Sequence, residues 1–124
     1  ASIAVRCVPG CHLCCLDTDM PLTLKDVLRI SKLGYDPAEF SEYRRGALRL
    51  RNVNGRCYFL DSNGKCRIYQ NRPYGCRAYP VVVEAETGGC VLDETCPAVE
   101  TVEEEEFKEK CSIARWVVAN IIRE

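Results

Sequence analysis

Four cysteines fall within a short stretch near the start of the chain, Cys7-Val-Pro-Gly-Cys11-His-Leu-Cys14-Cys15. Pro9 and Gly10 turn the backbone between the first two. With C-x3-C-x2-C spacing, three sulfurs can meet at a point only if the chain curls around something. A multivalent metal centre is what such a curl encloses. Each thiolate is a soft, charged ligand, and short loops lower the entropy lost on closing the ring. Later cysteines stand at 57, 66, 76, 90, 96 and 111. The expected metal ligands are drawn from Cys7, Cys11, Cys14, Cys15, Cys57, Cys66, Cys76, Cys90 and Cys96. Cys14 and Cys15 are adjacent and cannot easily point the same way, so one of them serves a second site or simply packs. Nine cysteines allow one four-thiolate centre with spare thiols, or two centres.

Zinc and iron–sulfur clusters both accept four thiolates, so spacing has to choose. Structural zinc sites usually pair two short C-x2-C knuckles. This chain has one, Cys11 to Cys14, and its later thiols are widely scattered. Scatter suits a bulkier [4Fe–4S] cluster collected from several loops, and Cys96-Pro97 echoes the Cys-Pro of many ferredoxins. Zinc is the alternative cofactor. A disulfide scaffold is the bland competitor, because 10 cysteines in 124 residues is a high density. Clustering of the thiols counts against it, as does the lack of an export signal in the mixed opening residues 1–6. C-x3-C-x2-C is also the spacing of radical S-adenosylmethionine enzymes. That reading fails on context: the chain after Cys15 is too short for their partial α/β barrel, and Leu13 stands where an aromatic residue is usual.

Beyond the cysteines, Arg77 directly follows Cys76. A guanidinium there would donate hydrogen bonds to sulfur and offset cluster charge, which makes Arg77 a cofactor-binding candidate. Tyr69, Tyr74 and Tyr79 surround it in sequence and either shield the site or pack in the core. His12 is the only histidine, so no Cys-His or Ser-His-Asp hydrolase pair exists beyond it; it reads as a loop residue. Arg44, Arg45, Arg49, Arg51 and Arg56 form a basic run opposite in sign to the glutamates near 100–109. The run reads as a solvated face, with docking of an acidic partner or a phosphate-bearing ligand as the sharper option.

Positioning these groups requires several short elements. Thr23 with Asp26 three residues on forms a capping box, and Leu24, Val27, Leu28 and Leu33 predict an apolar helix face ending at Gly34. Asp36-Pro37 opens a second short helix that should run to about Arg45-Gly46. Leu48 and Leu50 alternate with arginines as in a half-buried strand. Asn54-Gly55 and Asn63-Gly64 are hairpin signals, predicting an antiparallel meander over 47–69 that brings Cys57 and Cys66 to one end. Residues 71–77 read as turns, and Tyr79 to Val83 as a strand with Pro80 at its edge. From Val102 to Ile122 a long helix is predicted, with Phe107, Cys111, Ala114, Val118 and Ile121 on one stripe. On that stripe Cys111 behaves as a small hydrophobe rather than a ligand. This helix should pack on the sheet as the main core away from the metal.

The combined pattern resembles the YkgJ-like cysteine-cluster family of zinc- or iron-chelating domains. The residues that carry the likeness are Cys7-x3-Cys11-x2-Cys14-Cys15, then Pro21-Leu22-Thr23 with Asp26 and Arg29. They continue through Cys57-Tyr-Phe-Leu and Cys66-Arg-Ile-Tyr69-x2-Arg72-Pro73-x2-Cys76-Arg77-x-Tyr79-Pro80 to Cys90 and Cys96. The likeness covers residues 7–97 and implies metal binding without fixing a reaction. A related cysteine pattern is similar to one in flagellin lysine N-methylases, although no methyl-donor site is visible here.

The expectation is a single α+β domain over residues 1–124: a metal-bound cysteine loop, two short helices, a small antiparallel sheet and a long C-terminal helix. Its function would be a [4Fe–4S] protein of the cytoplasm in electron transfer or redox sensing, with a redox partner protein. A zinc-stabilised binding module, and an enzyme acting at an open cluster position, are the alternatives. Near-neutral net charge gives no pull toward nucleic acid. No apolar run is long enough to span a membrane.

Overall fold

The computed structural model describes residues 15–84, 86–93 and 102–124. Helix α1 spans Leu24–Ser31, and both halves of its capping box form: the Asp26 N–H donates to Thr23 Oγ1 (3.2 Å), and the Thr23 N–H donates to Asp26 Oδ2 (3.0 Å). The expected apolar face is not the buried one. Leu24 and Leu28 are 60 % and 53 % exposed, while Asp26 and Ile30 are fully buried and Val27 packs against the core. The cause is Asp26, which binds partners inside the molecule and turns its own face of the helix inward.

Helix α2, Pro37–Phe40, is a single turn capped by Asp36, whose carboxylate accepts the Ala38 N–H at 2.9 Å. The second helix therefore stops five residues earlier than its sequence signal suggests. Residues Ser41–Arg44 form strand β1, paired antiparallel with β2, Ala47–Leu50. Arg45 and Gly46 make the turn with φ of 50° and 78°. Positive φ at both central residues is the turn that matches strand twist, and Arg-Gly is a less legible version of it than Asn-Gly. The Asn54-Gly55 signal is met: β3, Asn52–Val53, pairs with β4, Arg56–Cys57, across that turn. Around Asn63-Gly64 the chain also reverses, but with a single bridge, Leu60 to Cys66. The meander expected over 47–69 is thus replaced by separate hairpins.

Tyr69–Asn71 is a 3-10 turn and Tyr74–Ala78 is helix α3, where the sequence suggested turns alone. After a cis Tyr79–Pro80 bond, β5, Val81–Val83, pairs with β6, Cys90–Leu92. Helix α4 spans Glu104–Asn120 and packs chiefly on α3 and β5. Its buried positions are Lys110, Ala114 and Val117: Ala114 lies on the predicted stripe, Lys110 and Val117 stand one residue before the predicted Cys111 and Val118, and Val118 is exposed. The last residues then run beside the N-terminal half. The Ile122 N–H donates to the Leu22 carbonyl (3.1 Å), and the Leu48 N–H donates to the Ile122 carbonyl (2.8 Å).

The central apolar cluster is Leu22, Ile30, Phe40, Leu50, Cys57, Phe59, Leu60 and Ile68. It lies among α1, α2 and the first hairpins, not under α4 as expected. Phe59 anchors it, with the Tyr35 ring edge-on at 5.0 Å and Phe40 at 5.6 Å. No helix among the described residues is long and apolar enough to cross a membrane.

The reversal at 61–65 is closed by backbone bonds, the Asp61 N–H donating to the Lys65 carbonyl (2.8 Å) and the Gly64 N–H to the Asp61 carbonyl (3.1 Å), and by one carboxylate. Asp61 accepts N–H groups from Lys65 (2.9 Å) and Asn63 (2.8 Å), and these bonds hold its pKa below the ordinary aspartate value. A depressed folded pKa lends stability that is complete above the unfolded value and is lost as pH falls through the folded one. We predict that the unfolding midpoint in denaturant falls more steeply below about pH 4 in the native chain than in Asp61→Asn. Identical acid profiles would refute this role.

Candidate metal centre

Four of the described cysteines, Cys15, Cys57, Cys66 and Cys76, reach the central core by separate routes. Leu16 bridges Arg56, and the Asp17 N–H donates to the Gly55 carbonyl at 2.7 Å. The chain leaving Cys15 therefore runs antiparallel to the chain entering Cys57. Cys57 and Cys66 are both tied to Leu60: its N–H donates to the Cys57 carbonyl (2.9 Å), and it bridges Cys66. Cys76 sits in α3, one residue after Gly75. A Cβ on Gly75 would run into the Met20 sulfur, so a larger residue there would force the Met20 side chain to move. Cys57 belongs to the central cluster, and Cys15, Cys66 and Cys76 pack against it. Four chain segments thus bring cysteines to the border of one core.

What holds α3 there is Asp26. Its Oδ1 accepts the Tyr74 N–H (3.0 Å) and Arg29 Nη2 (3.0 Å), and its Oδ2 accepts the Thr23 N–H and Thr23 Oγ1, both at 3.0 Å. Arg29 Nη2 continues to the Arg72 carbonyl at 3.0 Å. A fully buried carboxylate is tolerated only when paired and bonded in this way. Its partners are the start of α1 and the Arg72-Pro73-Tyr74 segment that delivers Cys76.

On the other side of α3, Lys110 of α4 is 2 % exposed. Its ammonium donates to the carbonyls of Arg77 (2.6 Å) and Tyr79 (3.0 Å), closing the C-terminal end of α3. Cations belong there because the final carbonyls carry partial negative charge. The sequence reading missed Lys110, since a lysine within an apolar register looks like an error unless carbonyls wait for it. Its i, i+4, i+7 spacing with Ala114 and Val117 was the available signal.

Arg77 lies over the Tyr74 ring at 5.0 Å, as Arg29 does at 4.8 Å, and Trp116 meets the same ring edge-on. Tyr69 is exposed and stacked with Arg72, whereas the Tyr79 hydroxyl donates to Asp93 at 2.8 Å. Several of the basic-run arginines tie the backbone. Arg44 donates to the Thr18 and Leu50 carbonyls, Arg49 to those of Asp19 and Arg44, and Arg56 to that of Asp61. Arg45 pairs with Asp19.

Cys7, Cys11, Cys14, Cys96 and His12 lie outside the described residues. Cys90 is joined to Cys111 in a disulfide between β6 and α4. A sulfur bonded to sulfur is not a thiolate, so Cys90 can act as a ligand only in the reduced chain. Cys111 is half-buried and bonded rather than a core residue on an apolar stripe. Among the described residues no three His, Cys, Asp or Glu side chains gather as a metal-holding group. The donor chemistry of the described cysteines fits a soft metal: sulfur ligands at the edge of an apolar core, which excludes water and favours thiolate–metal bonds. Cys15, Cys57, Cys66 and Cys76 are the described residues that would help to hold it.

The family described as “Putative zinc- or iron-chelating domain”, CxxCxxCC, matches residues 6–112. The chain belongs to this family. The match extends past the motif residues into α4 and takes in Cys111. The Uncharacterized protein MJ0661 of Methanocaldococcus jannaschii is 36 % identical over 100 residues, covering 73 % of this chain. The aligned region spans about half of that relative, 52 % of its length. No solved structure matches the chain.

Removing the Asp26 carboxylate leaves Arg29, the Tyr74 N–H and the Thr23 N–H without their acceptor. Breaking a buried pair by deleting one partner costs about 3–5 kcal/mol. Asp26→Ala should lose that much in equilibrium denaturation, and Leu24→Ala, on the exposed face, should lose far less. Equal losses in the two variants would show that Asp26 does not organise this region.

Proposed function

We propose that this chain holds a [4Fe–4S] cluster and works in electron transfer or redox sensing in the cytoplasm, with a protein redox partner. What supports the reading is that Cys15, Cys57, Cys66 and Cys76, from four separate segments, each lie in or against one apolar core. Membership of a zinc- or iron-chelating family supports metal binding in general. Two tight knuckles would have favoured zinc, and widely separated donors favour a larger cluster. Such a cluster, when bound, supplies one-electron chemistry.

The chain's own residues would set how that chemistry behaves. Arg77, adjacent to Cys76, brings a permanent positive charge to the region, and Lys110 brings another through its bonds to the Arg77 and Tyr79 carbonyls. Positive charge near a thiolate-ligated cluster stabilises its more reduced, more negative state. The apolar side chains of the central cluster lower the local dielectric and strengthen that effect. Arg77 is thus proposed as the tuning residue and the cysteines as the ligands.

Protein purified without oxygen should carry iron and sulfide, with a broad absorption near 400 nm that bleaches on reduction, as about expected for sulfide-bridged iron. A colourless chain containing zinc would replace the cluster with a structural metal. Cys11→Ser should lose most of its bound metal and unfold more readily, because ligation energy is folding energy at such sites. Unchanged metal content by elemental analysis would remove Cys11 from the ligand set.

A further inference from the structure

We propose that the open groove beside Cys66 is the docking face for the protein partner, which fills it with an apolar side chain flanked by carboxylates. The inference rests on the redox reading above and names the chemistry of the partner at that same centre.

A groove of about 400 Å³ opens to solvent where Leu33, just past α1, faces residues 66–71. Its lining includes Leu33, Tyr35, Cys66, Arg67, Tyr69 and Gln70. Leu33 and Tyr69 are 46 % and 47 % exposed. Two large apolar side chains displayed at one groove mark a contact surface, as singly scattered ones do not. A small-ligand site buries most of its ligand, which an open groove cannot do. An anchoring side chain of a larger partner is the better fit.

Charge decides what that partner carries. Among the described residues no carboxylate lines the groove, whereas Arg67 does. The Arg67 guanidinium lies 5.2 Å from the Tyr58 ring centre and donates to the Tyr58 carbonyl, which fixes its direction. Arg72 stands 4.1 Å over the Tyr69 ring and donates to the Tyr69 carbonyl at 3.2 Å. Lys32, which is exposed, directly precedes Leu33. The acids that follow Tyr35 in the chain are engaged: Asp36 accepts the Ala38 N–H, and Glu39 accepts the Tyr58 hydroxyl. Glu39 offsets part of the Arg67 charge, and Arg72 and Lys32 keep the surroundings positive. Guanidiniums already held against rings lose little freedom when a carboxylate arrives.

Cys66 connects this surface to the centre. It is half-buried, packs against the central core and lines the groove. A partner seated there rests against a proposed ligand of the centre. One electron then passes to a one-electron acceptor of the partner, with no bond made or broken.

The test uses the full chain, purified without oxygen and with its metal in place. Three blocked, dye-labelled peptides serve as probes: Glu-Glu-Leu-Glu-Glu, Glu-Glu-Ser-Glu-Glu and Lys-Lys-Leu-Lys-Lys. Affinity is read by fluorescence anisotropy, and position by hydrogen-exchange mass spectrometry. The acidic leucine peptide should bind, protect residues 66–71 and weaken as salt is raised. Its serine counterpart should bind about tenfold more weakly, for want of the buried leucine. Gln70→Glu, which adds one negative charge to an exposed lining residue, should weaken binding about fivefold. Gln70→Lys should strengthen it. Arg115→Glu, on the exposed side of α4, should change it less than about twofold. Equal binding of the acidic and basic peptides, or by the two Gln70 variants, would overturn the proposal. If one Gln70 variant does not fold, the other and the peptide series still decide. A chain that carries an iron–sulfur cluster and ignores the acidic peptide loses the docking face and keeps the centre. A chain with zinc and no iron that binds the peptide at 66–71 loses the redox reading and keeps the docking face.

Discussion

A carboxylate with no exposure to water, Asp26, is the point on which this arrangement turns. Burying a charge is costly unless every oxygen is matched, and here each oxygen accepts two hydrogen bonds. Two of the donors belong to the start of α1. A third is the backbone of Tyr74, far along the chain, and the fourth is an arginine that also reaches the Arg72 carbonyl. The same group therefore caps one helix and anchors the entry to another. Because it must point inward, α1 buries a face that contains an acid and leaves two leucines in solvent.

That constraint explains how cysteines remote in sequence become neighbours of one core. Cys15 enters beside the β3–β4 hairpin, Cys57 lies in the core, Cys66 is bridged to Leu60, and Cys76 arrives on a helix held between Asp26 and Lys110. Close approach at Gly75 and Met20 completes the seat of α3. These contacts make the placement of Cys76 a property of polar bonds at both ends of a five-residue helix rather than of its own helical propensity, which is small at that length.

Electrostatics follows the same economy. In the arginine run that read as a solvated face, Arg44, Arg49 and Arg56 donate to backbone carbonyls, at Thr18, Asp19, Arg44, Leu50 and Asp61. Lys110 does at the α3 terminus what arginines do around the hairpins. Long cationic side chains in this molecule satisfy carbonyls that the short, irregular elements before β5 leave unpaired.

Local signals were legible wherever a residue's own chemistry decided the outcome. The capping box at Thr23 and Asp26, the Asp36-Pro37 start, the Asn54-Gly55 turn, the Val81–Val83 strand and the final helix all follow from neighbours a few residues away. The cysteine pattern also named a family before any fold was known. What required the tertiary structure were choices among faces and partners: which side of α1 is buried, which register of α4 packs, whether 41–44 continues a helix or pairs with 47–50, and that Cys111 meets Cys90. Each depends on groups distant in sequence, and periodicity cannot see a carbonyl waiting for Lys110 or a backbone N–H waiting for Asp26.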